Sequence, residues 1–187
     1  MEIEHFAIRG PVVVTPARFW DARGFLSETF NEARFAAQIE DVRFVQENHS
    51  FSEHKGTVRG LHLQIPPKAQ GKLVRVTRGS IFDVAVDMRR DSPTFGRYVG
   101  VELSADNGKQ LWVPVGFAHG FCSLEPGCEV VYKISAYYDP SCERGIAWND
   151  PDLCIPWPVD PAQAVLSDRD RQNPRLKDAP TCFGGTL

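Results

Sequence analysis

The amino-acid sequence predicts an all-β fold, a sandwich or barrel of antiparallel strands with a few short helices. From residue 43 onward, runs rich in β-branched and aromatic residues follow one another, among them KLVRVT, SIFDVAVDM, YVGVEL and EVVYKISAYY. Turn signals such as Pro66-Pro67 and Asn107-Gly108 separate these runs at short intervals. Many short strands divided by short turns are typical of a sandwich or a barrel.

The first part of the chain contains two predicted strands joined by a loop. PVVVT, residues 11–15, is a β-branched run, and FLSETF, residues 25–30, alternates loosely between apolar and polar side chains. The sequence FWDARG, residues 19–24, is predicted to form a turn between them. This turn places Arg23 on a loop, where binding residues are commonly found.

Helices are expected to be short and few. Thr29 and Glu32 resemble a capping box, and two apolar residues four apart follow them, so one helix is predicted over about residues 31–39. After Trp148 the chain becomes rich in proline and aspartate. We expect this part to form only brief helical turns that wrap around the barrel.

Length and composition limit the classes of protein to consider. With 187 residues and no linker, the chain is predicted to be one domain, residues 1–187, with a core over about 11–138 and a wrapping segment over about 148–187. A net charge of −3 argues against a nucleic-acid surface. No apolar run approaches the roughly 18 residues of a membrane span, and the N-terminus lacks the bases of a signal peptide. The unpaired spacing of the five cysteines is interpreted as that of reduced thiols in a cytoplasmic protein.

Two histidine-containing segments share a spacing that is similar to the two cupin motifs. In residues 56–79, GTVRGLHLQIPPKAQGKLVRVTRG, His62 follows the first glycine after five residues, and Gln64 lies two further on. In residues 108–121, GKQLWVPVGFAHGF, a Pro-x-Gly turn precedes His119 and is expected to aim it inward.

The donor set of these segments predicts that no metal is bound. A metal-binding cupin has His-x-His and a Glu on the first segment and a third His on the second, a set that suits iron, zinc or manganese. Here Gln64 occupies the position of the second histidine, and Lys72 occupies the position of the glutamate. A lysine ammonium has donors but no lone pair, so it repels a cation.

The sequence pattern alone allows four side chains to be assessed as candidate site residues. His62 alternates with two leucines and faces away from them, which favours a functional role over a place in the core. His119 is either functional or orients its neighbours. Tyr132 could be ordinary strand packing and Asp170 a solvated carboxylate in the run LSDRD, and the pattern leaves both alternatives open.

Ordered sequence blocks extend from about residue 18 to residue 174. They are DARGF, FVQENHS, RGLH, QGKLVRV, SPTFG, PVGFAHGF, VYK, WND and LSDRD. With these blocks in this order, the chain resembles the dTDP-4-dehydrorhamnose 3,5-epimerases, the RmlC-type cupins of nucleotide-sugar biosynthesis. The resemblance implies a cupin jelly-roll β-barrel with a few short helices, and a homodimer in which N-terminal strands exchange between subunits.

The resemblance also implies roles for individual residues. His62 matches the catalytic base, Asp170 its dyad partner, Tyr132 the proton donor and Tyr138 the aromatic that stacks on thymine. The positions that match substrate-binding residues are Arg23, Glu28, Gln46, Asn48, Arg59, Lys72, His119 and Glu143. Two positions depart from the family pattern: Arg169 replaces a lysine before the dyad aspartate, which alters geometry but keeps the charge, and Leu26 replaces a phenylalanine.

The chemistry of these residue types fits an epimerase that needs no cofactor. Inversion beside a ketone requires a base on one face, an acid on the other and a group that holds the enolate oxygen. His62, oriented by Asp170, suits the base, and Tyr132 can deliver a proton from the opposite side. Lys72 offers charge to the developing oxyanion, and His119 could add a donor. The arginines expected to bind a pyrophosphate are Arg23, Arg59 and Arg169.

We therefore expect an epimerase that inverts C3 and C5 of dTDP-4-dehydro-6-deoxy-D-glucose to give dTDP-4-dehydro-L-rhamnose. One alternative is a relative that inverts a single centre in another deoxysugar pathway. The other is a non-catalytic cupin that binds a sugar nucleotide. The presence of both His62 and Tyr132 speaks against the last, because a binding protein has no use for an acid and a base on opposite faces.

Overall fold

The structure, a computed structural model, describes residues 1–183 and consists mainly of strands. In chain order the elements are β1 (Glu2–His5), β2 (Val12–Thr15), β3 (Phe19–Asp21), β4 (Gly24–Leu26), α1 (Glu32–Gln38), β5 (Gln46–Ser52), β6 (Val58–Gln64), β7 (Lys72–Arg78), β8 (Ser80–Asp87), β9 (Tyr98–Ser104), β10 (Gln110–Val113), β11 (Phe117–Ser123), β12 (Cys128–Ile134), β13 (Glu143–Gly145) and α2 (Asp168–Arg171).

Two antiparallel sheets pack face to face. The first has the strand order β1-β2-β10-β7-β12-β5, and the second has the order β13-β6-β11-β8-β9. One apolar cluster fills the space between them, and it includes Val74 and Leu111 from the first sheet and Leu103 and Phe121 from the second. Alternation along each strand turns every second side chain toward this core. The predicted all-β barrel with a few short helices is thereby confirmed.

The outer face of each sheet is covered by a different part of the chain. Helix α1 places Phe35 against Trp112 of β10, with ring centroids 5.3 Å apart. At seven residues the helix is too short to be stable alone, so this burial holds it in place. On the second sheet, Leu61 and Leu63 pack under residues of the C-terminal segment such as Leu153 and Leu176.

Two local predictions differ from the structure. Residues 19–24 form a hairpin of β3 and β4 instead of a plain turn, and the strand predicted over residues 25–30 ends at Leu26. The hairpin forms because the Asp21 carboxylate accepts the Arg23 backbone N–H at 2.8 Å and Gly24 adopts φ +125°. The helix is where the sequence predicted it, but its cap is Asn31, whose side chain accepts the Arg34 N–H, and not Thr29.

The side chains of β1 and β13 do not form a pattern that predicts a strand. The sequences EIEH and ERG lack an apolar alternation. Each strand forms at a sheet edge because a partner is in register: β1 beside β2, and β13 beside β6. No helix among residues 1–183 is long and apolar enough to cross a membrane.

Candidate active site

A cavity of about 520 Å³ opens between the two sheets and is closed on one side by the C-terminal segment. Strands β6 and β11 contribute side chains from one sheet, and β7 and β12 contribute them from the other. The predicted site residues that line it are Arg59, His62, Lys72, His119, Tyr132, Arg169 and Asp170. Residues far apart in sequence thus converge on one site.

His62 and Asp170 form a hydrogen-bonded pair at the cavity wall. The His62 Nε2 and Asp170 Oδ1 atoms are 2.5 Å apart, and the side chains are 27% and 5% exposed, respectively. Because Leu61 and Leu63 face the opposite side of β6, the strand's alternation directs His62 into the cavity.

Helix α2 holds Asp170 in position. The Ser167 side chain caps this helix by accepting the Asp170 backbone N–H at 3.1 Å. Just before this helix, Val165 forms an isolated bridge with Thr57, the residue that precedes β6. The C-terminal segment is therefore held beside β6, the strand that carries His62.

The environment of Asp170 keeps its carboxyl group ionised. Burial raises the pKa of Asp170, but the hydrogen bond and charge of His62, with further bonds from Ser167 and the Gly60 N–H, outweigh burial and hold the pKa below its usual value. An ionised carboxylate only accepts hydrogen bonds, so His62 must donate its Nε2–H. The lone pair on Nδ1 is then left to accept a proton.

Lys72 enters the cavity from β7, on the sheet opposite His62. It is 9% exposed, and its Nζ donates to the His62 carbonyl oxygen at 3.4 Å. Burial lowers the pKa of Lys72 to about 8, while the charges of Glu143 and Asp83 oppose that shift. At neutral pH the side chain is thus mostly an ammonium, yet one that is easily deprotonated.

Tyr132 lines the cavity from β12, which lies beside β7 in the first sheet. His62 belongs to the second sheet. The candidate base and the candidate acid therefore enter the cavity from opposite sheets. A planar intermediate bound between the sheets would have one of them on each face.

His119 forms a second histidine–carboxylate pair, deeper than the first. Its Nε2 lies 2.7 Å from Asp83 Oδ1, and both side chains are buried. The turn before β11 contains Gly116 at φ +94°, a conformation that favours glycine. The expectation that this turn aims His119 inward agrees with its place in the cavity wall.

Asp83 is a polar residue of the site that the sequence analysis missed. It lies on β8 between Ile81 and Ala85, on the face of the strand that is directed to the core. The signal that could have identified it is an aspartate at a core-facing position of an apolar strand. An aspartate is almost never fully buried unless it is paired.

A chain of hydrogen bonds connects Arg169 of the cavity wall to four further predicted residues, called here the rim residues: Glu143, Tyr138, Gln46 and Asn48. The Tyr138 hydroxyl donates to Glu143 at 2.6 Å, and Arg169 pairs with the same carboxylate at 2.7 Å. The Tyr138 backbone N–H donates to Gln46 at 3.3 Å, and the Gln46 amide donates to Asn48 at 2.9 Å. The bond to Glu143 raises the pKa of Tyr138 and that of Arg169.

Arg23 and Glu28 are not at the cavity of their own chain. Within the described part of the chain, strands β3 and β4 pair only with each other, and on this hairpin Arg23 is exposed and pairs with Asp21 at 2.6 Å. Glu28 pairs with Arg34 at 3.1 Å. Of the three arginines predicted to bind a pyrophosphate, Arg59 and Arg169 line the cavity and Arg23 does not, so the part of Arg23 in that cluster stays a prediction.

Gln64 has a structural role and is not placed as a metal ligand. Its buried amide donates to the carbonyl oxygens of Lys68 and Tyr137, and its oxygen accepts the Asp139 N–H at 2.8 Å. Residues 1–183 hold no cluster of three or more His, Cys, Asp or Glu side chains arranged to bind a metal ion.

Comparison with known proteins places this geometry in a family. The model of the dTDP-4-dehydrorhamnose 3,5-epimerase family matches residues 5–178. The enzyme of that description from Shigella flexneri is 51% identical over 169 residues, 90% of this chain and 92% of the relative. The one from Sinorhizobium fredii is 48% identical over 183 residues, 98% of this chain and 93% of the relative.

A solved structure shares this fold. The dTDP-6-deoxy-D-glucose-3,5-epimerase of Legionella pneumophila Philadelphia 1, in complex with dTDP-4-keto-L-rhamnose, superposes with a TM-score of 0.94 at 41% identity. The match covers 100% of this chain and 99% of the other. The chain belongs to the dTDP-4-dehydrorhamnose 3,5-epimerase family.

Proposed function

We propose that this protein is an epimerase that converts dTDP-4-dehydro-6-deoxy-D-glucose to dTDP-4-dehydro-L-rhamnose by inverting C3 and C5. The observation that carries the proposal is the placement of His62 and Tyr132 on opposite sheets with Lys72 between the sheets. Family membership and the dTDP-keto sugar bound by the Legionella relative support the substrate class.

The first step is removal of a proton from the carbon beside the C4 ketone. The C–H bond breaks, its proton passes to His62 Nδ1, and its electron pair moves into an enolate whose oxygen carries the charge. The Asp170 carboxylate stabilises the imidazolium that results. Lys72 supplies an ammonium to the enolate oxygen, and the buried setting strengthens that interaction.

Inversion follows when the proton returns from the other face. The Tyr132 hydroxyl gives its proton to the carbanion carbon, and the C–H bond forms on the side away from His62. Solvent then restores the proton of Tyr132 and removes that of His62. No electrons leave the substrate, so the cycle needs no cofactor. The same set of groups serves C3 and C5, since both carbons neighbour C4.

The rim residues suit the nucleotide portion of the substrate. Tyr138 is half exposed, which suits an aromatic side chain that stacks on thymine. Arg59 and Arg169 supply positive charge for the pyrophosphate. The groups left to hydrogen-bond the base, the sugar and the phosphates are Gln46, Asn48, His119 and Glu143.

We propose further that the working form is a cytoplasmic homodimer with exchanged N-terminal strands. The β3–β4 hairpin carries Phe19, Trp20 and Leu26 with at least 65% of each exposed, an apolar surface of the kind that partner subunits cover. Arg23 and Glu28 flank this surface. They would join a site only if the hairpin reaches the cavity of the second copy.

The proposed activity is tested by incubating the purified protein with dTDP-4-dehydro-6-deoxy-D-glucose and assigning the product by proton NMR. Product with both C3 and C5 inverted supports the proposal. Product inverted at one centre supports the single-centre alternative, and unchanged substrate that nevertheless binds supports a non-catalytic sugar-nucleotide protein. Active protein should elute as a dimer in size-exclusion chromatography with light scattering.

A further inference from the structure

Asp83 is buried, and one of its two carboxylate oxygens lacks a hydrogen-bond partner among residues 1–183. Its Oδ1 is bonded to His119 at 2.7 Å, while its Oδ2 is the buried oxygen that no group in that part of the chain contacts by a hydrogen bond. The side chain is 0% exposed. An unpaired buried anion is costly to a folded protein, so a compensating charge is expected nearby.

Three side chains lie in a row across the second sheet. His62 and His119 are directly opposite each other in the β6–β11 register. His119 is opposite Ala85 of β8, and Asp83 lies two residues from that position on the same face. Lys72 approaches the row from the other sheet, where its Nζ donates to the His62 carbonyl oxygen.

The other anions near Lys72 are already paired. Glu143 of β13 is bonded to Arg169 and Tyr138, and Asp170 of α2 is bonded to His62. The remaining charged or titratable groups that line the cavity are Arg59, His119 and Tyr132. Asp83 differs from both anions in that one of its carboxylate oxygens is buried without a hydrogen-bond partner among residues 1–183.

We propose that Asp83 is a positioning residue of this site: one oxygen fixes His119, and its buried charge keeps the Lys72 side chain an ammonium in the cavity. This inference rests on the proposed function only for its catalytic consequence. Asp83 acts through His119 and Lys72 and does not line the cavity itself. Burial lowers the pKa of Lys72, and the charges of Glu143 and Asp83 both oppose that shift.

The test is Asp83→Asn, which removes the charge of the side chain and retains its shape. The matched control is Asp87→Asn on the same strand, a buried carboxylate whose partners are Arg89, Ser92 and Thr94 outside the cavity. Asp83→Ser is a smaller neutral substitute if asparagine prevents folding, and Asp83→Glu restores the charge. Protein labelled with ε-¹³C lysine allows the titration of Lys72 to be followed by NMR without any substrate.

The expected result is a lower titration midpoint for Lys72 and an alkaline limb of kcat that moves to lower pH. A midpoint lowered by one pH unit from about 8 leaves roughly fivefold less ammonium at pH 8 and little change at pH 6. Asp83→Glu should recover the wild-type limb, and Asp87→Asn should retain it.

An unchanged Lys72 midpoint in both neutral Asp83 variants would overturn the inference. A pH-independent loss of kcat would do so as well, since it indicates a merely structural role. Because the NMR titration needs no turnover, it remains valid even if the wild-type protein proves inactive on the proposed substrate. Failure of the function and failure of the inference are therefore separate outcomes.

Discussion

Lys72→Met should make the protein more stable and less active. Burial lowers the pKa of Lys72 from 10.5 to about 8, so the folded state holds the ammonium at a cost. The difference corresponds to roughly 3 kcal/mol of unfolding free energy at pH 7. Methionine is of similar length and carries no charge. The variant is therefore expected to gain about 2–3 kcal/mol at pH 7.

The pH dependence of this gain has a definite sign. Between about pH 8 and 10.5 the unfolded chain binds more protons at this lysine than the folded chain does, so wild-type stability rises with pH. The methionine variant has no such group and lacks this rise. The two stabilities should converge as the pH approaches 10.5.

Activity should change in the opposite direction. Loss of the ammonium removes a charge from the enolate oxygen, and removal of one such group typically costs ~10²–10³-fold in kcat. Urea unfolding at pH 7 and pH 9.5 gives the stabilities, and Lys109→Met, which disrupts an exposed pair with Glu4, serves as the control with a change below ~1 kcal/mol. A methionine variant that is less stable than wild type at pH 7, or equally active, would refute the reasoning.

Two further results are expected. His62→Ala should lower kcat at least ~10²-fold, because it removes the base that Asp170 orients; Asp170→Asn should lower it less, and a near-normal rate for His62→Ala would move the base elsewhere, with His119 the first suspect. Activity should survive exhaustive EDTA treatment, because Gln64 and Lys72 stand where a metal-binding cupin has ligands; loss on chelation with rescue by a divalent ion would contradict the interpretation of Lys72.

The sequence was sufficient where the signal lies in local chemistry. Alternation along the strand identified the cavity-facing side of β6 and hence His62. The Pro-x-Gly turn predicted the inward direction of His119. Proline and aspartate near the C-terminus predicted that only brief helical turns such as α2 would form there.

Other features depend on contacts that no local pattern encodes. His62 and Asp170 are 108 residues apart, and only the family resemblance predicted their pairing. The edge strand β13 has no apolar alternation of its own and forms only because β6 offers a partner. The separation of Arg23 from the cavity likewise depends on where a hairpin extends in space.

The measurement that tests the central claim most directly is a comparison of hydrogen exchange with inversion in Tyr132→Phe. The substitution retains the ring and deletes only the proton delivered opposite His62. In D₂O, NMR should show deuterium entering C3 or C5 of the substrate while little inverted product forms, because His62 can still remove a proton and return one to the same face. Equal loss of exchange and inversion, or loss of neither, would contradict the assignment of acid and base to opposite faces.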